Sequence, residues 1–157
     1  MQKFSYCLWF DGKAEEAARL YVSAFKDSRI VNTARYLEGS PGTPGSVMTV
    51  EFILNGERFL ALNGGPQFAF TPAISIVANC DTQAEIDDLW EKLSREGQEA
   101  QCGWLTDKFG VSWQVVPTAL GEMMSSTDKA AAQRAFSAML GMKKLDIAAL
   151  RRACENA

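Results

Sequence analysis

One structural grammar is written twice in this chain of 157 residues. Strand, turn, acidic helix, strand and hairpin follow one another from Phe4 to Asn63, and again from Ala73 to Pro117. Glu16, Leu20, Tyr21 and Ala24 fall in register with Glu85, Leu89, Trp90 and Leu93, and the Asn55-Gly56 turn is answered by Lys108-Phe109-Gly110. A single βαβββ unit covers only one face of its sheet, so two copies are expected to pair. Few folds satisfy that demand.

The local signals within each copy are strong. Phe4 to Phe10 alternates, with Phe4, Tyr6, Leu8 and Phe10 on one face and Ser5, Cys7 and Trp9 on the other, and Asp11-Gly12 turns the chain. A helix from about Lys13 to Phe25 carries Ala14, Ala17, Ala18, Tyr21, Ala24 and Phe25 on its inner stripe. Ile30 to Tyr36 is the next strand, and the Gly/Pro-rich stretch from Leu37 to Ser46 is a loop expected to be mobile. Val47 to Leu54 and Arg58 to Leu62 form a hairpin about Asn55-Gly56.

In the second copy Ala73 to Asn79 is a strand and Thr82-Gln83-Ala84-Glu85 is a capping box. The helix it opens presents Ile86, Leu89, Trp90 and Leu93 inward and stops near Gly97. Cys102 to Pro117 is strand, tight turn, strand, with Val111, Trp113 and Val115 on one face and Ser112, Gln114 and Val116 on the other. Beyond Pro117 the chain turns helical. A helix from Thr127 to Leu140 stops at Gly141, and Asp146 caps a last helix from about Ile147 to Cys154, with Leu145 and Leu150 as its hydrophobic staple. These helices dock either on their own sheet or on a neighbouring subunit.

Two absences narrow the chemistry. The chain has no histidine, which removes the commonest metal ligand and the commonest general base together. Its four cysteines, Cys7, Cys80, Cys102 and Cys154, form no CxxC pair and read as small buried hydrophobes. A net charge of −3 offers no basic face to nucleic acid. No run approaches the roughly 18 apolar residues of a membrane helix, and Met1 to Cys7 lacks the apolar core of a signal peptide. The expectation is a cytoplasmic protein that binds neither nucleic acid nor membrane.

Strand parity collects the polar residues. Ser5, Cys7 and Trp9, then Thr49 and Glu51, Asn63, Ser75, Val77 and Asn79, and finally Ser112 and Gln114 occupy the less apolar faces. The opposite faces are almost continuously apolar, as helix-covered faces should be. A concave trough lined by hydroxyls, amides, a thiol, a carboxylate and an indole suits a small polar or aromatic ligand.

Three motifs carry a resemblance. Leu8-Trp9-Phe10-Asp11-Gly12 followed by Ala14-Glu15-Glu16-Ala17, then Leu62-Asn63-Gly64-Gly65-Pro66, then Gly110-Val111-Ser112-Trp113-Gln114-Val115-Val116-Pro117 resemble the PhnB-like subfamily of the vicinal oxygen chelate superfamily. That superfamily includes glyoxalase I, extradiol dioxygenases and bleomycin- and fosfomycin-resistance proteins. The likeness runs from Phe4 through Pro117, and Met139 to Asp146 fits it too. It implies an α+β fold in which duplicated βαβββ modules, about 4–63 and 73–117, form a curved mixed sheet with helices on the outer face. A C-terminal helical tail at 126–156 would complete a single glyoxalase-like domain over 1–157.

The superfamily's metal sites draw on His and Glu from four inward strand positions. Carried over by resemblance, Cys7 stands at the first, Ala61 or Asn63 near the second, Ser75 near the third and Gln114 at the last. A thiol, a hydroxyl and amides lack the charge and donor strength a divalent cation needs, so neither metal nor other cofactor is expected. Some members carry the label demethylubiquinone methyltransferase; no glycine-rich nucleotide loop follows the first strand here, so that activity is not expected.

Two small-molecule functions remain, beside an interaction or structural role carried by the helical tail. One is metal-free binding of a small polar or aromatic molecule by Cys7, Trp9, Thr49, Glu51, Asn63, Ser75, Asn79, Ser112 and Gln114. The other is lyase or isomerase chemistry with Glu51 as base and Cys7 as nucleophile or acid. The plain alternative to both is an inherited trough, now only packed or wet. A homodimer is expected, held in part by Phe136, Met139, Leu140, Leu145, Ile147 and Leu150 of the tail, unless the tail folds back over its own sheet edge.

Overall fold

A computed structural model describes residues 3–156. The chain divides after Phe70 into two compact units, and each is one βαβββ module. The first contains β1 (Tyr6–Phe10), α1 (Ala14–Ala24), β2 (Arg29–Arg35), β3 (Val47–Leu54) and β4 (Glu57–Asn63). The second contains β5 (Ile76–Cys80), α2 (Gln83–Ser94), β6 (Gln98–Glu99), β7 (Trp104–Thr106) and β8 (Ser112–Pro117). It continues through α3 (Thr118–Met124), α4 (Lys129–Leu140) and α5 (Ile147–Glu155). The fold is α+β by duplication.

Both sheets have four strands and the same topology. The first runs β1-β4-β3-β2 and the second β5-β8-β7-β6, each pairing its first strand in parallel with its last and the rest antiparallel. Only a crossover connection can make neighbouring strands parallel, and α1 and α2 supply it.

Each helix covers the apolar face its sequence predicts. Ala14, Ala17, Ala18, Tyr21 and Ala24 are buried along α1. The four alanines let the helix sit close to Val50, Phe52, Phe59 and Ala61, all buried on the sheet beneath. In the second unit Ile86, Leu89, Trp90 and Leu93 are buried along α2. The Thr82 hydroxyl accepts from the Glu85 N–H at 3.2 Å, while the Glu85 carboxylate reaches back to the Asp81 N–H at 2.7 Å.

One element boundary needed correction. The second module's first strand starts at Ile76, because Pro72 and the turn after it hold Ala73 out of the ladder. Two further elements, β6 and α3, gave no strong pattern. β6 has two residues, and α3 lacks a side-chain cap and buries only Leu120. The loop from Leu37 to Ser46 is tied at its base. The Tyr36 N–H donates to Ser46 O at 2.9 Å and the Gly45 N–H to Tyr36 O at 2.8 Å.

The tail docks on its own unit, the second of the two placements the sequence leaves open. Leu145 and Leu150 are fully buried with Leu120, and Val116, Met123, Met139 and Met142 pack around them. Gly103 makes the approach possible. It takes φ +81°, donates its N–H to Lys143 O at 2.8 Å, and a Cβ there would come within 3.1 Å of the Leu145 side chain. The Gln83 amide donates to Leu145 O at 3.0 Å and accepts from the Ile147 N–H at 2.9 Å. Lys144 pairs with Asp87 at 2.8 Å. Of the tail's expected dimer stripe, Leu145, Ile147 and Leu150 are therefore spent inside the unit, and Phe136 and Leu140 stay exposed.

Candidate functional site

Strand register sets what lies on the face of each sheet opposite its βαβ helix. In the first unit Cys7 pairs with Leu60 and Leu60 with Glu51, so the three form one row across β1, β4 and β3. Trp9, Leu62 and Thr49 form the next row. Cys7, Trp9, Thr49 and Glu51 thus share a face. Strands lie about 4.8 Å apart, so Cys7 and Glu51 are separated by roughly 10 Å with Leu60 between them. They do not form an acid–base pair.

Each of these side chains is further defined by its neighbours. The Arg58 guanidinium donates to the Glu51 carboxylate from the other limb of the hairpin. Partial burial pushes the Cys7 thiol above its ordinary pKa, which keeps it neutral and unactivated. Trp9 is immobilised. Its indole N–H donates to Gly65 O at 2.9 Å, and Phe68 meets its ring edge-on at a centroid distance of 5.0 Å. Gly64 lies so close to the six-membered ring that any Cβ would overlap it. The Asn-Gly-Gly turn is a wall bracket for Trp9.

Asn63 does not belong to this face. It pairs with Phe10 and shares the parity of Phe59 and Ala61, which point under α1. Its Oδ1 accepts from the Ala14 N–H at 2.9 Å, and its Nδ2 donates to Val47 O at 3.1 Å. Helix α1 has no side-chain cap of its own at Lys13, so β4 supplies one. Ala61 is fully buried on that same helix side. On β4 the residues facing away from the helix are Arg58, Leu60 and Leu62.

In the second unit Val77, Gln114 and Trp104 form a row across β5, β8 and β7, with Asn79 beside Val116 and Ser112 beside Thr106. Ser75 joins them, since the Gln114 Nε2 donates to its Oγ at 3.0 Å. Ser75, Asn79, Ser112 and Gln114 therefore share one face; Asn79 is exposed, Ser75 and Gln114 are half-buried and Ser112 is buried. Trp104, Thr106, Leu60, Leu62 and Arg58 were not anticipated. The two-residue Asn55-Gly56 turn fixes Leu54 opposite Glu57, and counting back from it alone places Leu60 beside Glu51.

A duplicated βαβββ chain whose helices cover one face of each sheet defines a vicinal oxygen chelate protein. Residues 2–116 match a family model described as 3-demethylubiquinone-9 3-methyltransferase. The chain belongs to this PhnB-like family. It is 40% identical to a PhnB protein of Bacillus cereus carrying the same methyltransferase description, over 74% of this chain and 100% of that one, with a TM-score of 0.69. A protein of Pseudomonas aeruginosa at 21% identity, covering 74% of this chain and 98% of its own, shares the fold with a TM-score of 0.62. No curated protein matches the chain. The family match ends at residue 116, before α3.

The superfamily's metal does not fit the residues present. Ala61 carries no donor, Asn63 is committed to capping α1, and Gln114 is bonded to Ser75. Among the described residues no three of His, Cys, Asp and Glu come together in a way that could hold an ion. Among the same residues no helix is long and apolar enough to cross a membrane.

Proposed function

We propose that this protein binds a small polar or aromatic molecule without a metal, on the sheet faces turned away from α1 and α2. The observation that carries the reading is the Gln114–Ser75 pair, 3.0 Å apart, at the position where the superfamily closes its metal site. A carboxylate there would serve a cation. An amide held by a hydroxyl instead offers neutral donors and acceptors, which suit an uncharged ligand. On the first unit's own sheet face Trp9, fixed by Gly65 O and Gly64, offers a separate aromatic surface that costs little entropy to present.

The competing reading, lyase or isomerase chemistry through Glu51 and Cys7, loses support from the same geometry. Leu60 separates the two groups, Arg58 occupies the carboxylate and the thiol is neutral. Methyl transfer, the activity in the family's description, draws no support from these residues either. A homodimer remains part of the proposal. The test is a thermal-shift screen of the full chain with divalent metals, a chelator and neutral aromatic metabolites, since a ligand of the native state raises its melting temperature. Saturable stabilisation by an organic ligand, unchanged by chelator, is the expected result. Stoichiometric metal by elemental analysis, with chelator lowering the melting temperature, would overturn it.

A further inference from the structure

The duplication supplies an internal control. By ladder position Gln114 of β8 corresponds to Leu60 of β4, because Asn63 and Pro117 each close the last strand opposite Phe10 and Cys80. Likewise Trp104 corresponds to Glu51, and Val77 to Cys7. The first module carries a leucine at this place, so the duplicated topology as such does not require an amide here. Trp104 stands beside Gln114 on the neighbouring strand, half-buried like it.

The hydrogen-bonding capacity of this corner is only partly used. Gln114 has an acceptor oxygen and two N–H donors, and one N–H goes to Ser75. Among the described residues its Oε1 has no partner, nor has the indole N–H of Trp104. No Lys, Arg, Asp or Glu lies in the row Val77–Gln114–Trp104 or in its neighbours Asn79–Val116 and Ser112–Thr106. We infer that Trp104, Gln114 and Ser75 form a subsite for a neutral planar aromatic carrying an adjacent donor and acceptor, of which an aromatic carboxamide is the simplest example. The ring stacks on Trp104, the ligand N–H donates to Gln114 Oε1, and the ligand oxygen accepts from Gln114 Nε2. A carboxylate ligand finds no cation to pair with in these three rows. This rests on the small-molecule reading above and gives it a ligand class.

Titration of the full chain with benzamide, benzoate and toluene, followed through the Trp104 indole N–H resonance in a nitrogen–proton spectrum, tests it. Trp104→Phe assigns the resonance. The expected result is a saturable shift with benzamide and binding at least tenfold weaker with benzoate and toluene. In Gln114→Leu, which places the first module's residue here, the resonance should stay sharp and dispersed before titration and its response to benzamide should fall at least tenfold. A resonance that ignores benzamide, follows benzoate equally, or responds undiminished in Gln114→Leu overturns the subsite. Should thermal-shift ligands bind while the Trp104 resonance stays still, the subsite fails and the binding function survives. Should neither benzamide nor any screened molecule bind, both fail.

Discussion

The indole N–H of Trp113 donates to the Oδ2 of Asp107 at 2.9 Å, and both residues are buried. The other carboxylate oxygen accepts from the N–H groups of Phe109 and Val111 at 2.9 and 3.0 Å, so one side chain ties the β7–β8 turn to the strand that carries Gln114. Removing it breaks three hydrogen bonds, two of them buried. Asp107→Ala should cost about 2–4 kcal/mol in urea unfolding, each buried unpaired donor being worth about 1–3 kcal/mol with partial relaxation. Asp107→Asn should be little better, because its NH2 must face either the indole or the two backbone donors. Adding Trp113→Phe to Asp107→Asn should then cost less than Trp113→Phe costs alone; equal costs would show that the indole bond does not couple the two.

A second cap operates across the first unit. Asn63 caps α1 from β4, and it also holds Val47 O. Asn63→Ala should destabilise by about 1–2 kcal/mol, the usual worth of a lost helix cap plus a neighbouring bond. Asn63→Asp keeps the acceptor for Ala14 and should recover part of the loss. If Asn63 acted on a ligand instead, Asn63→Ala would alter binding and leave the unfolding midpoint where it was.

Those two residues also mark how much the sequence disclosed. The hairpin about Asn55-Gly56, the alanine face of α1, the capping box at Thr82 and the cap at Asp146 are local chemistry, and local pattern is enough to read them. Asn63 is different. An amide at the end of a strand reads as a polar, ligand-facing residue, whereas its parity places it under α1, where a helix without a cap needs it. The partner lies 49 positions away, and no window of sequence contains both. Leu60 between Cys7 and Glu51 is likewise invisible until three strands are aligned. The tail is the third such case, since an apolar helical stripe looks the same whether it covers its own module or a second chain.

Cys80 sets an alkaline limit on stability. Burial, with added repulsion from Glu85 and Asp81, pushes its thiol up to about 11 from an ordinary 9.0. Between these values the unfolded chain has lost a proton that the native chain retains. Native stability from this group is thus complete below about pH 9 and is lost as pH rises toward about 11. The loss is on the order of 1–3 kcal/mol. Cys80→Ala removes the titration, so the difference in unfolding free energy between the two proteins should shrink across that window. A difference that holds constant from pH 8 to pH 11 would contradict the burial argument.

The final prediction concerns assembly. We expect a homodimer at micromolar concentration, and the tail now bears on it differently. Truncation near Gly121 removes Leu145 and Leu150 from the cluster around Leu120 and strips the contacts of Gly103 and Gln83. It should unfold the second unit, so it says nothing clean about association. Of the tail's stripe, Phe136, 41% exposed, and Leu140, 53% exposed, are left for a partner, one turn apart on α4. Burying a side chain of this size contributes about 1.5–3 kcal/mol, a useful part of the several kcal/mol that association costs. Phe136→Ser with Leu140→Ser touches little of the tail's own core and should leave the unfolding midpoint nearly unchanged. In sedimentation the unmodified chain should run as a dimer and the double variant as a monomer. A double variant that stays dimeric moves the interface away from α4, and an unmodified chain that sediments as a monomer rejects the dimer itself.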